Sequence, residues 1–290
     1  MADHALSLII DHEASIMATR YFSAVAVALV FCDHCLTSGD EIQFIWMNTK
    51  AGSGNRAGFL INRYVTEAMV AYVTYMLSGM AGGQTDRVCQ IFIWLFAIAS
   101  TVFVAVSHFL IISRLYTLWD RRKIIKWILL GSFGVTISIA MAFCILAAHQ
   151  VQPFLVYNPL LHMCTFTQKP WALPYMLGAL TLFDGFIILM TIVNALDRPH
   201  HTQADVVTAL VRDGALMFVG LFVLRFINLM MAIFGNPSNC FVTLSTVWAV
   251  CCIVNSRIQL RVENLRFVRY TRQPGESSED VEIHQLAMLS

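Results

Sequence analysis

Seven apolar runs, each long enough to cross a hydrocarbon core, leave the chain little choice of architecture. Crossing a core about 30 Å thick takes roughly 20 mainly apolar residues, and backbone polar groups in lipid must be satisfied within the segment, so such runs fold as helices. The runs are 20–37, 60–80, 88–118, 124–148, 171–196, 206–234 and 240–255. Turn-forming segments such as Ala51-Gly52-Ser53-Gly54-Asn55, Ala81-Gly82-Gly83-Gln84 and Gly235-Asn236-Pro237-Ser238 separate them. Of 290 residues 58% are hydrophobic and 13% charged, about half the charge of soluble chains. The fold class that follows is all-α: a polytopic seven-transmembrane helix bundle whose main partner is the lipid bilayer.

Basic residues in short loops collect on the cytoplasmic side. With alternating spans, Lys50, Arg56, Arg63, Arg114, Arg121, Arg122, Lys123, Lys126, Arg198, Arg212, Arg257, Arg261, Arg266, Arg269 and Arg272 fall on one side. Only Arg20, Arg87 and Lys169 fall on the other, and Arg225 lies within the sixth run. The N-terminus is therefore expected outside and the C-terminus in the cytoplasm. The opening MADHALSLIIDHEAS lacks the basic start and small-residue cleavage site of a secretory signal, so the first span is expected to serve as an uncleaved signal. Residues 1–19 form an outer segment and 20–255 the helix domain. In 256–272, Ile258, Val262, Leu265 and Val268 recur at helical spacing, which predicts a short amphipathic helix on the inner leaflet. Residues 273–290, with Pro-Gly, serines and acids, have the composition of a disordered cytoplasmic tail.

Ionisable residues inside a bilayer are costly and mark candidate sites. Asp184 lies thirteen residues into the fifth run, roughly 20 Å from its outer end and beyond easy snorkelling. Arg225 in the sixth run is its nearest candidate partner. A structural ion pair and a polar ligand or ion site are both open, with Glu67 and His108 as further interior candidates. Gly131, Gly134 and Ser138 in the fourth run recur at helical spacing and predict a small-residue face for close helix packing.

The run YFSAVAVALVFCDHCLTSGDEIQFIW from Tyr21, followed by FLINRY ending at Tyr64, resembles the amino-terminal signature of a family of seven-helix membrane proteins of basidiomycete fungi, domain of unknown function 6533. That signature places an aspartate near the end of the first helix, a glutamate shortly before a tryptophan, and an Asn-Arg-Tyr motif. Here these are Asp33, Glu41, Trp46 and Asn62-Arg63-Tyr64. Arg114-Leu115-Tyr116 followed by Arg121-Arg122, Arg212-Asp213-Gly214 and Ser256-Arg257 extend the likeness. His34 stands where relatives more often carry tyrosine. The resemblance implies a fungal integral membrane protein and no activity.

Cys89, at the outer end of the third run, and Cys164, in the outer loop between the fourth and fifth, are arranged like the disulfide that ties the second outer loop to the third helix in G-protein-coupled receptors. That likeness implies a Cys89–Cys164 bond, chemically reasonable in an oxidising compartment, with Cys240 as the competing partner. Cys32, Cys35, Cys144, Cys251 and Cys252 read as packing or palmitoylation positions, and CxxC spacing at Cys32–Cys35 without further ligands makes no metal site. Arg114, Arg212 and Asp213 lie near cytoplasmic helix ends. In receptors such ends rearrange during signalling, so the three are candidates for a latch or for interfacial anchors.

The absence of lysine in the seventh run removes a rhodopsin-type Schiff base, and no stacked histidine pairs suit a haem. No HExxH or GxSxG occurs, which argues against an enzyme, and no cofactor is expected. A net charge of +1 on a mainly apolar chain gives no footprint for nucleic acid. The leading expectation is a receptor-like protein of the plasma membrane or another secretory-pathway membrane, sensing a small or lipidic ligand and meeting a cytoplasmic signalling partner. A transporter using Asp184, Arg225 and Glu67, and a membrane scaffold, are the alternatives.

Overall fold

The computed structural model describes residues 2–47, 53–80, 85–119, 122–159, 162–166, 168–196, 205–235 and 243–271. Helix α1 spans Ala2–Glu41 and continues through a π-helical turn, Ile42–Trp46. Helix α2 (Ser53–Leu60), a second π turn (Ile61–Val65) and α3 (Thr66–Leu77) follow one another without a break as a single rod. Then come α4 (Asp86–Leu118), α5 (Lys123–Val151), strands β1 (Leu155–Asn158) and β2 (Met163–Phe166), α6 (Ala172–Leu196), α7 (Asp205–Phe234) and α8 (Leu244–Thr271). Among the described residues this makes seven helical rods.

Among the described residues, four helical stretches are long and apolar enough to cross a membrane: Ile16–Trp46, Asp86–Tyr116, Lys123–Phe154 and Ala172–Asn194. Phe218–Phe234 is a shorter apolar helix. The chain is thus a mostly helical, multi-pass membrane protein.

The helix limits differ from the hydropathy limits for identifiable reasons. Helix α1 begins well before residue 20, because neither proline nor glycine interrupts the chain until Gly39. Helix α8 runs through Ser256 to Thr271 without a break, since the first breaker beyond it is Pro274. Residues 273–290 and Cys240 lie outside the described residues. At the other end of the rod, Gly79 takes φ 82°, the left-handed conformation that closes α3 and that glycine adopts without a Cβ clash.

The rods form a ring. Helix α1 packs on α3 and α8, α8 on α7, α7 on α6, α6 on α5 and α5 on α4. Helix α4 also meets α3, α6 and α8, so it runs through the middle. The loop between α5 and α6 departs from an all-α fold, because it forms an antiparallel hairpin pairing Leu155 with Phe166 and Tyr157 with Cys164. A disulfide joins Cys89 at the start of α4 to Cys164 on β2 across a sequence separation of 75. Asp86 Oδ1 accepts the Tyr157 amide at 2.8 Å, so the hairpin is anchored twice to one helix end. Lys169 Nζ donates to the carbonyls of Ile233 (2.7 Å) and Gly235 (3.2 Å), supplying a positive charge at the C-terminus of α7.

Helix α5 corrects one expectation. Gly131, Gly134 and Ser138 are exposed, and a Cβ added at either glycine would meet nothing within 4 Å. They face outward with Trp127, Ile128, Val135 and Ile139, because the helix packs on its neighbours through the opposite face, which carries Leu129, Ala140, Cys144 and Ala147. An outward apolar face of this kind meets lipid.

Replacing both Cys89 and Cys164 by serine releases the hairpin from α4 and restores freedom to the unfolded chain. The apparent Tm in mild detergent should fall by about 5–10 °C. Scanning fluorimetry with and without reductant checks this, and a wild-type Tm indifferent to reductant would remove the bond from the account.

Candidate functional site

Among the described residues, two clusters of buried charge join the helices of the ring. The first uses three of the four residues that the sequence marks as interior candidates. His108 from α4, Asp184 from α6 and Arg225 from α7 meet at the centre, all buried. Arg225 Nη1 lies 2.9 Å from both Asp184 oxygens and 2.6 Å from His108 Nε2. His108 Nδ1 lies 3.0 Å from the Val104 carbonyl, which can only accept. Nδ1 therefore carries the imidazole proton, and Nε2, left bare, accepts from the guanidinium. The 3.1 Å approach of Nε2 to Asp184 Oδ1 is then a contact of two acceptors sharing one donor, and not a hydrogen bond between them. The outcome is a carboxylate, a guanidinium and a neutral imidazole with no net charge. Arg225 Nη2 also points at Cys251 Sγ of α8 at 3.7 Å, so one side chain touches partners on three other helices.

Glu67 does not join them. It follows Arg63 by one helical turn on the α2–α3 rod, and that turn faces α1 instead of α6 and α7. The second cluster forms there. Arg63, 1% exposed, places Nη2 on Thr37 Oγ1 at 2.7 Å, and its Nε lies 3.1 Å from Glu41 Oε2 and 3.6 Å from Glu67 Oε1. His34 Nδ1 lies 2.8 and 3.0 Å from the Glu67 oxygens. The Arg63 Nε–H also points at His34 Nδ1, 3.3 Å away, so that ring nitrogen lies between the guanidinium donor and the Glu67 carboxylate. Glu41 Oε1 accepts from Tyr64 Oη at 2.6 Å and from Trp46 Nε1 at 3.0 Å. The π turns contribute here, because i to i+5 bonding, as from Met47 N to Ile42 O (2.9 Å), brings Glu41 and Trp46, five apart, to one face.

The same region fastens α8. Arg257 Nε lies 2.6 Å from Asp33 Oδ1. Asn62 Nδ2 donates to Ser256 Oγ at 3.2 Å and its Oδ1 accepts from Ser107 of α4, while the Cys252 thiol donates to the Asn62 carbonyl at 3.2 Å. Sequence reasoning counted Arg63 with the cytoplasmic loop charges, whereas the fold buries it. The signal available was the joint occurrence of Asp33, Glu41 and Arg63 within one signature, which reads as mutual pairing once the two helices are taken as neighbours. Of the latch candidates, Arg114 donates through Nη2 to the Asn255 carbonyl of α8 at 3.3 Å. The side chains of Arg212 and Asp213 lie outside the described residues.

Above the first cluster lies a cavity of about 90 Å³ walled by α4, α5, α6, α7 and α8. Phe96 and Trp248, stacked at 5.1 Å, form one wall, and Arg225 and Asn228 stand among otherwise mainly apolar residues. Among the described residues no group of three His, Cys, Asp or Glu side chains suits a metal ion.

Buried ion nodes between helices that are apolar outside belong to a multi-pass membrane protein. Within it, residues 21–66 match the model of a family of unknown function (DUF6533). The match takes in Asp33, His34, Thr37, Glu41, Trp46 and Asn62-Arg63-Tyr64, nearly the whole of the second cluster. No curated protein matches the chain.

Removing one partner of a buried pair strands the other charge, which costs about 3–5 kcal/mol. Asp184→Asn should therefore lower the apparent Tm sharply, and Asp184→Asn with Arg225→Met should recover part of the loss. Thermal unfolding of the three variants reads this, and a double variant no better than the single would mean that the pair is not the interaction removed.

Proposed function

We propose that this chain is a seven-helix, receptor-like membrane protein, with its N-terminus outside and its C-terminus in the cytoplasm, that binds a small or lipidic ligand in the cavity between α4 and α8. The observation that carries the reading is Arg225. It lines the cavity and is also the group through which α4, α6, α7 and α8 are joined. A ligand seated above it changes the surroundings of a charge that four helices share, so binding biases how those helices sit relative to one another.

The seven rods, the excess of basic residues on one face and the disulfide-tied hairpin support the topology. On this reading the membrane is one of the secretory pathway, and the inner ends of the helices meet a cytoplasmic partner. The chain performs no chemistry on the ligand. Transport is the second reading, and it would use the same triad as a charge-exchange point. The arrangement favours it less, because the triad is neutral and its donors are engaged.

The test is thermal stability of the purified protein against fractionated lipid and metabolite extracts, comparing wild type with Asp184→Asn. One fraction should stabilise the wild type by several degrees and the variant not at all; ligand at about 100 times Kd contributes about 2.7 kcal/mol. Steady proton or solute flux in proteoliposomes, lost in Asp184→Asn, would replace the receptor reading with transport.

A further inference from the structure

The cavity is long and thin. Its lining on α5 runs from Ile137 to Val151 and on α4 from Ile93 to Val104, which at 1.5 Å per residue is about 16–21 Å. Drawn out over such a length, the cavity admits an extended chain more readily than a ring.

Its polar groups are already engaged. The hydroxyls of Ser100, Thr101 and Thr181 donate to the carbonyls of Phe96, Ala97 and Leu177 at 2.6, 2.9 and 2.8 Å. Asn228 Oδ1 accepts from Thr243, and Arg225 is held by Asp184 and His108. A polar head placed there would find few partners and lose its water.

At the outer end the situation reverses. A vestibule of about 510 Å³ is lined by Gln90, His149, Gln150, Gln152, Gln168 and Lys169, and Pro170 belongs to its wall and to the cavity's. The ammonium of Lys169 is spent on the carbonyls at the end of α7, and Gln150 Oε1 and Gln152 Oε1 already accept from the Ala172 amide (3.4 Å) and Trp94 Nε1 (3.2 Å). Beside Pro153, Phe154 and Trp171 the vestibule therefore offers the amide N–H groups of these two, Gln90, Gln168 and an imidazole. Together these groups both donate and accept, and they match a neutral head.

We propose that vestibule and cavity together bind one single-chain amphiphile, with its uncharged, hydrogen-bonding head among the outer amides and its chain in the cavity, ending near Arg225. This rests on the ligand-pocket reading above and adds the class and direction of the ligand. Chain length sets how closely the apolar end approaches the triad, and therefore how strongly binding acts on it.

The experiment uses the full chain in lipid nanodiscs and two photoreactive long-chain primary alcohols, one with a diazirine at the chain end and one with it beside the hydroxyl. Adducts are mapped by mass spectrometry. The chain-end probe should label segments 100–104 and 137–144, and the hydroxyl-end probe segments 149–152 and 168–171. Ala140→Trp fills the cavity and should cut chain-end labelling about tenfold or more, with Ala97→Leu as the milder variant if the first does not fold. The reverse pattern of adducts, labelling confined to lipid-facing positions such as Trp127 and Ile128, or labelling unchanged in the filled variant would overturn the proposal. Failure of the receptor reading looks different: the mapped adducts appear as expected, yet hydrogen exchange at the inner helix ends does not change when the alcohol binds.

Discussion

A charge held between apolar helices has no water to turn to, so it must find its opposite on a neighbouring helix. At about 3 Å and an effective dielectric constant near 20, unit charges attract by roughly 5 kcal/mol. That is comparable to the cost of stranding either one. Arg63 and Arg225 each stand at such a point. Dispersion alone would let apolar helices slide past one another in lipid, since the tails are as apolar as leucine. The two guanidiniums remove that freedom: one fixes α1 against the α2–α3 rod, and the other fixes α6 against α7 with α4 and α8 in contact.

The two nodes divide the labour. The one around Arg63 is built from signature residues, packed with aromatic and hydroxyl donors, and continues through Asp33 and Asn62 to α8. It reads as the fixed end of the bundle. The one around Arg225 borders a cavity, and so it is the one a bound molecule can reach. Helix α8 carries residues of both, with Cys251 beside Arg225 and Cys252, Ser256 and Arg257 beside the other. One continuous helix thus joins the cavity-side node to the signature node.

Much of this was legible from hydropathy, because length and apolarity alone separate the helices, and an acid and a base in adjacent spans invite pairing, as with Asp184 and Arg225. Glu67 is legible as an interior acid but its partner is not, since one sequence does not say which helix a given turn faces; the fold pairs it with His34 of α1. Arg63 was misread for a related reason: the positive-inside argument treats basic residues near span ends as solvated, and only packing against α1 reveals this one as buried. The π turns and the hairpin left no periodic signal, being set by side-chain partners from distant segments. The cavity is likewise a property of how five helices fail to meet, which no single stretch encodes.

The central claim is that Glu41 and Arg63 of the signature segment stabilise the bundle by acting on each other. A double-mutant cycle of Glu41→Gln and Arg63→Met, read by unfolding in detergent, tests it most directly. The account predicts that the double variant loses at least about 1 kcal/mol less than the sum of the two single losses. Strict additivity would contradict it, and would mean that each residue serves some other neighbour and that the node is a coincidence of packing.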